Sequence, residues 1–253
     1  MNTENLEYQN YQAPEDLLEK RVIIVTGAGD GIGRAAAMAY AAHGATVILL
    51  GRTVAKLEQV YDEIVDSGWV KPAIYPLDLS IASAEDYANM AEIIERDIGQ
   101  LDGILHNASV LGDLTLMEGY SPDTWHTVMQ VNLNAPFLMT QALLPLMKAS
   151  SDASIVFTSS SVGRIGRAYW GAYSVSKFGI EGLMQTLASE LENTSNIKVN
   201  SLNPGATRTN MRASAYPAED PGKLPKPEEI LNIYLFLMGK DSEGITGQAL
   251  NAQ

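Results

Sequence analysis

The chain has 253 residues, 46% of them hydrophobic, which is enough to bury one full α/β core, and its 30 acidic against 17 basic residues leave a net charge of −13. That charge repels a phosphate backbone, so nucleic acid is not an expected partner. The lack of cysteine removes disulfides and thiolate sites, and His43, His106 and His126 show no ligand spacing, so no metal is expected.

In chain order, the opening MNTENLEYQNYQAPEDLLEK is polar and acidic, without the basic start and apolar centre of a signal peptide. No run reaches the roughly 18 apolar residues of a membrane span. The expectation is a cytoplasmic protein with no membrane contact, with a flexible tail over residues 1–13 and a single domain over 14–253. Apolar runs at 21–27, 45–51, 73–78, 101–107, 153–160, 197–205 and 247–252 alternate with longer helical patterns. Most are apolar on both faces, which marks strands covered by helices on either side, and the β/α alternation predicts a parallel sheet. The fold class is therefore α/β: a Rossmann-type, doubly wound, three-layer fold around a mostly seven-stranded parallel sheet. Residues 215–229, AYPAEDPGKLPKPEE, are rich in breakers and read as a late surface loop.

In such sheets ligands bind beyond the carboxyl ends of the strands. The first run enters TGAGDGIG directly, so Gly27, Gly31 and Gly33 lie between a strand and an Ala-rich helix, where backbone can approach a diphosphate at the positive helix N-terminus. A dinucleotide site is expected. The ribose reader lies about 20 residues further on. That position holds Gly51, followed by Arg52, in place of the carboxylate that would accept from a 2′-hydroxyl. A guanidinium there suits a 2′-phosphate, so NADP(H) is the expected cofactor, with Asp30 in the turn opposing it. The bland alternative is that Gly51 only permits a turn and Arg52 is solvated.

Later, RAYWGAYSVSKFG places Tyr173 and Lys177 four apart, on one face of a helix, able to act at a common point. The spacing alone assigns no role, because Tyr and Lys are common on helix surfaces and the plain alternative is that the pair means nothing.

TGAGDGIG, LHNAS, Asn132 in QVNLNAP, TSSSVG, the Tyr173 and Lys177 pair, and NPGATRT occur in the order seen in short-chain dehydrogenases/reductases. The resemblance covers residues 20–251 and is to the single-domain branch with the TGxxxGxG turn, within it to bacterial oxidoreductases that share TSSSVGR and MRASA. It implies a catalytic set of Asn132, Ser160, Tyr173 and Lys177, with Lys177 also on the nicotinamide ribose and Asn132 holding a water that relays protons. Tyr173 is then the expected acid and base: the alkoxide left by hydride transfer to a carbonyl needs a proton, a free phenol with pKa about 10 suits neutral pH poorly, and a nearby ammonium that lowers it by about 2 to 3 units must contribute roughly 3 to 4 kcal/mol. Ser160 follows from its distance to the tyrosine and to Gly163, with Ser159 and Ser161 left as strand-end hydroxyls that cap backbone. Asn132 has the alternative of bracing helix to helix. The resemblance further implies cofactor contacts from Gly27, Asp30, Gly31, Ile32, Gly33, Arg52, Asp78, Leu79, Asn107, Ala108, Tyr173, Lys177, Pro204, Gly205, Thr207 and Thr209, with Asp78 on the adenine. It implies a homodimer or homotetramer paired through the helices expected over residues 121–149 and 171–192, after the fourth and fifth strands.

Three positions depart from the family pattern: His106, Ser109 where a glycine is usual, and Thr207 where an apolar residue is usual. The expected substrate is a small carbonyl compound or secondary alcohol. Met211, Tyr216, Tyr169 and Trp170 could wall it, and Arg208 and Arg212 could meet an acidic group. The alternative function is a non-catalytic dinucleotide-binding redox sensor that acts through a protein partner.

Overall fold

Runs of Val, Ile and Leu form the strands because branched side chains pack well on a pleated surface covered on both sides. β1 (Val22–Thr26), β2 (Thr46–Gly51), β3 (Ala73–Pro76), β4 (Gly103–His106), β5 (Ala153–Thr158), β6 (Ile197–Asn203) and β7 (Ala249–Asn251) fall within the expected runs. The structure, a computed structural model, describes residues 8–253. All seven strands join one sheet in the order β3-β2-β1-β4-β5-β6-β7, and every neighbouring pair is parallel. This is the doubly wound fold read from the sequence.

Alternate strand residues enter opposite cores, as the two-residue period requires. Ile23 and Val25 pack with Tyr40 of α1 (Gly31–Ala42), Leu57 of α2 (Val54–Asp66) and, from later in the chain, Tyr234. Ile24 and Phe157 pack with Met90 of α3 (Ala84–Asp97) and with Met139 and Met184 from two later helices. The sheet order reverses at β1, whose neighbours are β2 and β4, and the strand ends there open a crevice.

The helix expected over 121–149 is not continuous. It consists of α4 (Pro122–Met129), a π-helical turn over Gln130–Asn134, and α5 (Ala135–Met147). Pro136 has no N–H to give the Asn132 carbonyl four residues back, so the ladder widens and Ala135 N–H reaches Gln130 O instead. The following helices are α6 (Gly171–Leu191), α7 (Asn210–Ala215) and α8 (Asn232–Met238). Between α7 and α8 the expected surface loop holds 3-10 turns at Pro221–Lys223 and Pro227–Ile230.

The flexible tail expected over residues 1–13 falls in part on 1–7, which lie outside the described residues. Beyond them, Tyr8 stacks on Phe236 with ring centroids 4.5 Å apart, Gln9 donates to the Asn251 carbonyl at 3.2 Å, and Tyr11 donates to Asp241 at 2.7 Å. Among the described residues no helix is long and apolar enough to cross a membrane, and no group of three or more His, Asp or Glu could hold a metal.

Candidate active site

At the carboxyl end of the sheet a cavity of about 560 Å³ collects residues from the glycine turn, the ends of β2, β4, β5 and β6, and the starts of α2, α6 and α7. Gly27, Asp30, Gly31, Ile32, Arg52, Asp78, Leu79, Asn107, Ala108, Ser160, Tyr173, Lys177, Pro204, Gly205, Thr207 and Thr209 all line it. Two predicted residues do not. Gly33 is buried beneath the turn, where a Cβ would strike the Gly27 carbonyl and lie 2.5 Å from the Asn107 amide. Asn132 is buried behind the wall.

The turn owes its shape to left-handed backbone at Gly27 (φ +69) and Gly31 (φ +52). The Asp30 carboxylate caps α1 by accepting from Gly31 N at 2.8 Å. It does not stand as the open negative charge the sequence suggested, because Lys56 Nζ lies 2.6 Å away and Asn210 Nδ2 donates at 3.2 Å. The Lys56 hydrogen bond above all holds the Asp30 carboxyl below its ordinary pKa. Arg52 is exposed and makes no hydrogen bond or ion pair to the protein among the described residues. Asp78 accepts from Ser80 N and Oγ at 2.9 and 2.7 Å, which lowers its pKa. The Thr26 hydroxyl accepts from the amides of Asn107 and Ala108, each at 2.9 Å, and so fixes the loop after β4. Ser109 fits here despite its side chain, and its hydroxyl, at the cavity wall, is buried with no partner.

Tyr173 and Lys177 sit one turn apart on α6, as their spacing predicts, with Lys177 Nζ 5.5 Å from the Tyr173 ring centre. Their electrostatics differ from the expectation. Burial pushes the Tyr173 phenol up to about 12, with the Ser160 hydroxyl acting the other way. Burial also pulls the Lys177 ammonium down to about 7, opposed by the charge of Glu181. The amine, over the phenol ring, donates to the Thr158 carbonyl at 2.7 Å, and desolvation of both groups outweighs any lowering of the tyrosine by the lysine.

Ser160 caps the short turn that follows β5. Ser159, expected to cap backbone, instead donates to Glu181 Oε1 at 2.6 Å, while Ser201 donates to Oε2 at 2.6 Å and Arg164 Nε to Oε1 at 3.1 Å. Glu181 thus fixes the strand end that carries Ser160, a role the sequence did not reveal. Asn132 accepts from Val110 N at 2.8 Å and donates to Val110 O at 2.9 Å and Ser176 Oγ at 3.1 Å, so it braces the loop after β4 against α6. Its carbonyl falls in the π-helical turn.

At the far end Val110, Leu111, Trp170 and Met211 form the wall, while Tyr216 backs Trp170 at 6.0 Å and Tyr169 is exposed. The two arginines are not free for an acidic substrate group. Arg212 is held by Glu219 through two hydrogen bonds of 2.6 and 2.7 Å and lies 3.8 Å from the Tyr216 ring centre. Arg208 donates to the carbonyls of Leu224 and Gly222. His106 is buried against Phe157 and bonds Thr140 at 2.9 Å, and burial takes its pKa to about 3, a structural imidazole. Thr207 is tied down by Gln253, which donates to its hydroxyl at 3.1 Å and to Pro204 O at 2.7 Å.

The chain matches the short chain dehydrogenase family over residues 21–220. It belongs to that family. This short-chain dehydrogenase is 53% identical over 244 residues to the uncharacterised oxidoreductase YciK of Escherichia coli (strain K12), covering 96% of both chains. A solved structure from Pseudomonas syringae superposes with a TM-score of 0.95 at 59% identity, over 96% of this chain and 99% of that one. A Shigella flexneri 2a structure complexed with NADP gives a TM-score of 0.92 at 53% identity, over 95% of this chain and 100% of that one. The chain is accordingly an oxidoreductase, and the bacterial branch implied by TSSSVGR and MRASA is the one its relatives occupy.

Proposed function

We propose that this oxidoreductase uses NADP(H) to interconvert a carbonyl and a secondary alcohol, with Tyr173 as general acid and base. One observation carries the reading: a single cavity holds the glycine turn, an exposed Arg52 with no hydrogen bond or ion pair among the described residues, and Ser160, Tyr173 and Lys177 together. The residues present fit the dinucleotide. Gly27, Gly29 and Gly31 let backbone approach phosphate in the turn, the start of α1 faces the cavity, and the Ser109 hydroxyl lacks a partner. Arg52 would hold a 2′-phosphate, and Asp78 and Leu79 the adenine. Asn107, Lys177, Thr207 and Thr209 would hold the nicotinamide half. The relative complexed with NADP supports that cofactor.

When bound, the dinucleotide supplies or accepts the hydride. Ser160 donates to the carbonyl oxygen. The Tyr173 phenol stays protonated through neutral pH because its pKa lies near 12, and it gives its proton to the far more basic alkoxide oxygen. The reverse direction needs the phenolate, so alcohol oxidation should rise with pH while reduction does not. Lys177 holds the ribose, and in its ammonium form it favours the phenolate. Asn132 keeps the loop and α6 in register around them, and a proton-relay water on it remains part of this reading.

At the substrate end Arg208 and Arg212 are both engaged and the wall is apolar, so an uncharged carbonyl with an apolar flank is the substrate class we assign. The non-catalytic alternative finds no support, since a sensor has no use for Ser160 and Tyr173 at the cavity. We also propose that copies pair through α4 to α6, where Phe137, Val175 and Phe178 stand exposed. The test of function is a panel of neutral ketones and matched keto acids, with NADPH or NADH consumption followed optically on the wild type and Arg52→Ala. Turnover of neutral ketones with NADPH is expected, and Arg52→Ala should weaken NADPH more than NADH. Tight dinucleotide binding without turnover on any compound would overturn the enzymatic reading, and equal use of both cofactors the choice of NADP.

A further inference from the structure

Lys56 lines the same cavity as Arg52, in the first turn of α2, yet nothing in the family pattern assigns it. Two neighbours place it. Its stem lies against Gly29, where a Cβ would come within 2.9 Å of the Lys56 Cβ, so only glycine lets the first turn of α2 sit this close to the phosphate turn. Its ammonium is 2.6 Å from Asp30 Oδ2, and both side chains are half exposed. An ion pair so open to water is worth little by itself, and moving the ammonium to another anion costs correspondingly little. The surroundings favour such an anion. Arg52 makes no hydrogen bond or ion pair among the described residues, although its charge acts on Asp78, and Thr53, at the N-cap of α2, makes no capping bond with its side chain, so the helix start adds positive charge.

We propose that Lys56 is a second dinucleotide-specificity residue, binding the 2′-phosphate alongside Arg52, with Asp30 as the counter-ion that holds its ammonium at this end of the cavity. The inference rests on the NADP(H) reading above. A phosphate dianion attracts the ammonium more strongly than one carboxylate does, and two cations grip it from β2 and α2. Asp30, which at first sight argues against NADP(H), is then part of the arrangement that delivers the second cation. Its Asn210 contact also joins this end of the cavity to the start of α7, beside the substrate wall.

The experiment titrates NADPH and NADH by fluorescence on the wild type, Lys56→Met and Lys56→Gln, at low and high ionic strength. Methionine keeps the stem against Gly29 and removes only the charge, and thermal denaturation confirms that each variant is folded. We expect Lys56→Met to weaken NADPH about tenfold at low salt and less at high salt, and to leave NADH within about twofold. Equal weakening of both cofactors, or no weakening of either, in a protein whose wild type prefers NADPH overturns the role of Lys56 alone. A wild type that binds both alike removes the NADP(H) reading, and this inference with it.

Discussion

The buried lysine of the active site should cost stability, and the cost should depend on pH in a calculable way. Lys177 is 2% exposed and its pKa falls from 10.5 to about 7 through burial. The folded value lies below the unfolded one, so between about pH 7 and 10.5 the unfolded chain binds a proton that the folded chain does not, and stability rises with pH across that window. From about pH 6 to pH 9 the single site should raise the unfolding free energy by about 2 to 3 kcal/mol. Lys177→Met removes the titration and nearly preserves the side-chain volume. Its stability advantage over the wild type should therefore be largest near pH 6 and shrink by that same amount toward pH 9, whatever fixed offset comes from losing the Thr158 contact. Urea unfolding of both proteins at three pH values measures the difference and cancels every other titrating group. Parallel pH profiles would show that the ammonium is not desolvated as the structure requires. The same variant should bind NADPH more weakly, since the proposed ribose contact goes with the amine.

Tyr173→Phe should reduce turnover at least about a thousandfold while NADPH affinity stays within about threefold, because the ring keeps its packing and only the proton is lost. Substantial residual reduction by that variant would move the acid elsewhere. Assembly can be checked by sedimentation at micromolar concentration, where a dimer or tetramer is expected and Phe137→Glu with Phe178→Glu should release monomer. A wild type that is monomeric throughout would remove the pairing proposed through α4 to α6.

Much of this arrangement was legible because it rests on local rules. A strand buried on both faces must be apolar at every position, so β1, β4 and β5 announce themselves, and a turn that needs φ above zero at Gly27 and Gly31 must use glycine there. Tyr173 and Lys177 share a face because α6 is regular. Their electrostatics were not legible. Spacing brings two groups together without saying how dry the site is, and here desolvation outweighs the attraction between them. The break at Asn132 had a local signal that passed unused, since Pro136 removes the donor its carbonyl would have met.

What stayed hidden depends on partners distant in sequence. Arg212 looked free because no helical period predicts Glu219, which lies seven residues on and beyond the end of α7. Ser159 was expected to bond backbone because no strand pattern shows that Glu181, on a helix, comes to meet it. The Asp30 and Lys56 pair is the case with most consequence for function. In sequence Asp30 is a lone acid in a phosphate turn, and Lys56 is one exposed residue of an amphipathic helix 26 positions later. A charge opposite in sign to the expected one argues against a ligand only while its partner is unknown. Once Gly29 lets α2 approach and the carboxylate acquires an ammonium, this end of the cavity sets Arg52 and Lys56 against Asp30 and Asp78, so two cations stand there despite the −13 of the whole chain. The local field at a phosphate is set by the few charges within a Debye length of about 10 Å, so this corner can select an anion that the molecule as a whole repels.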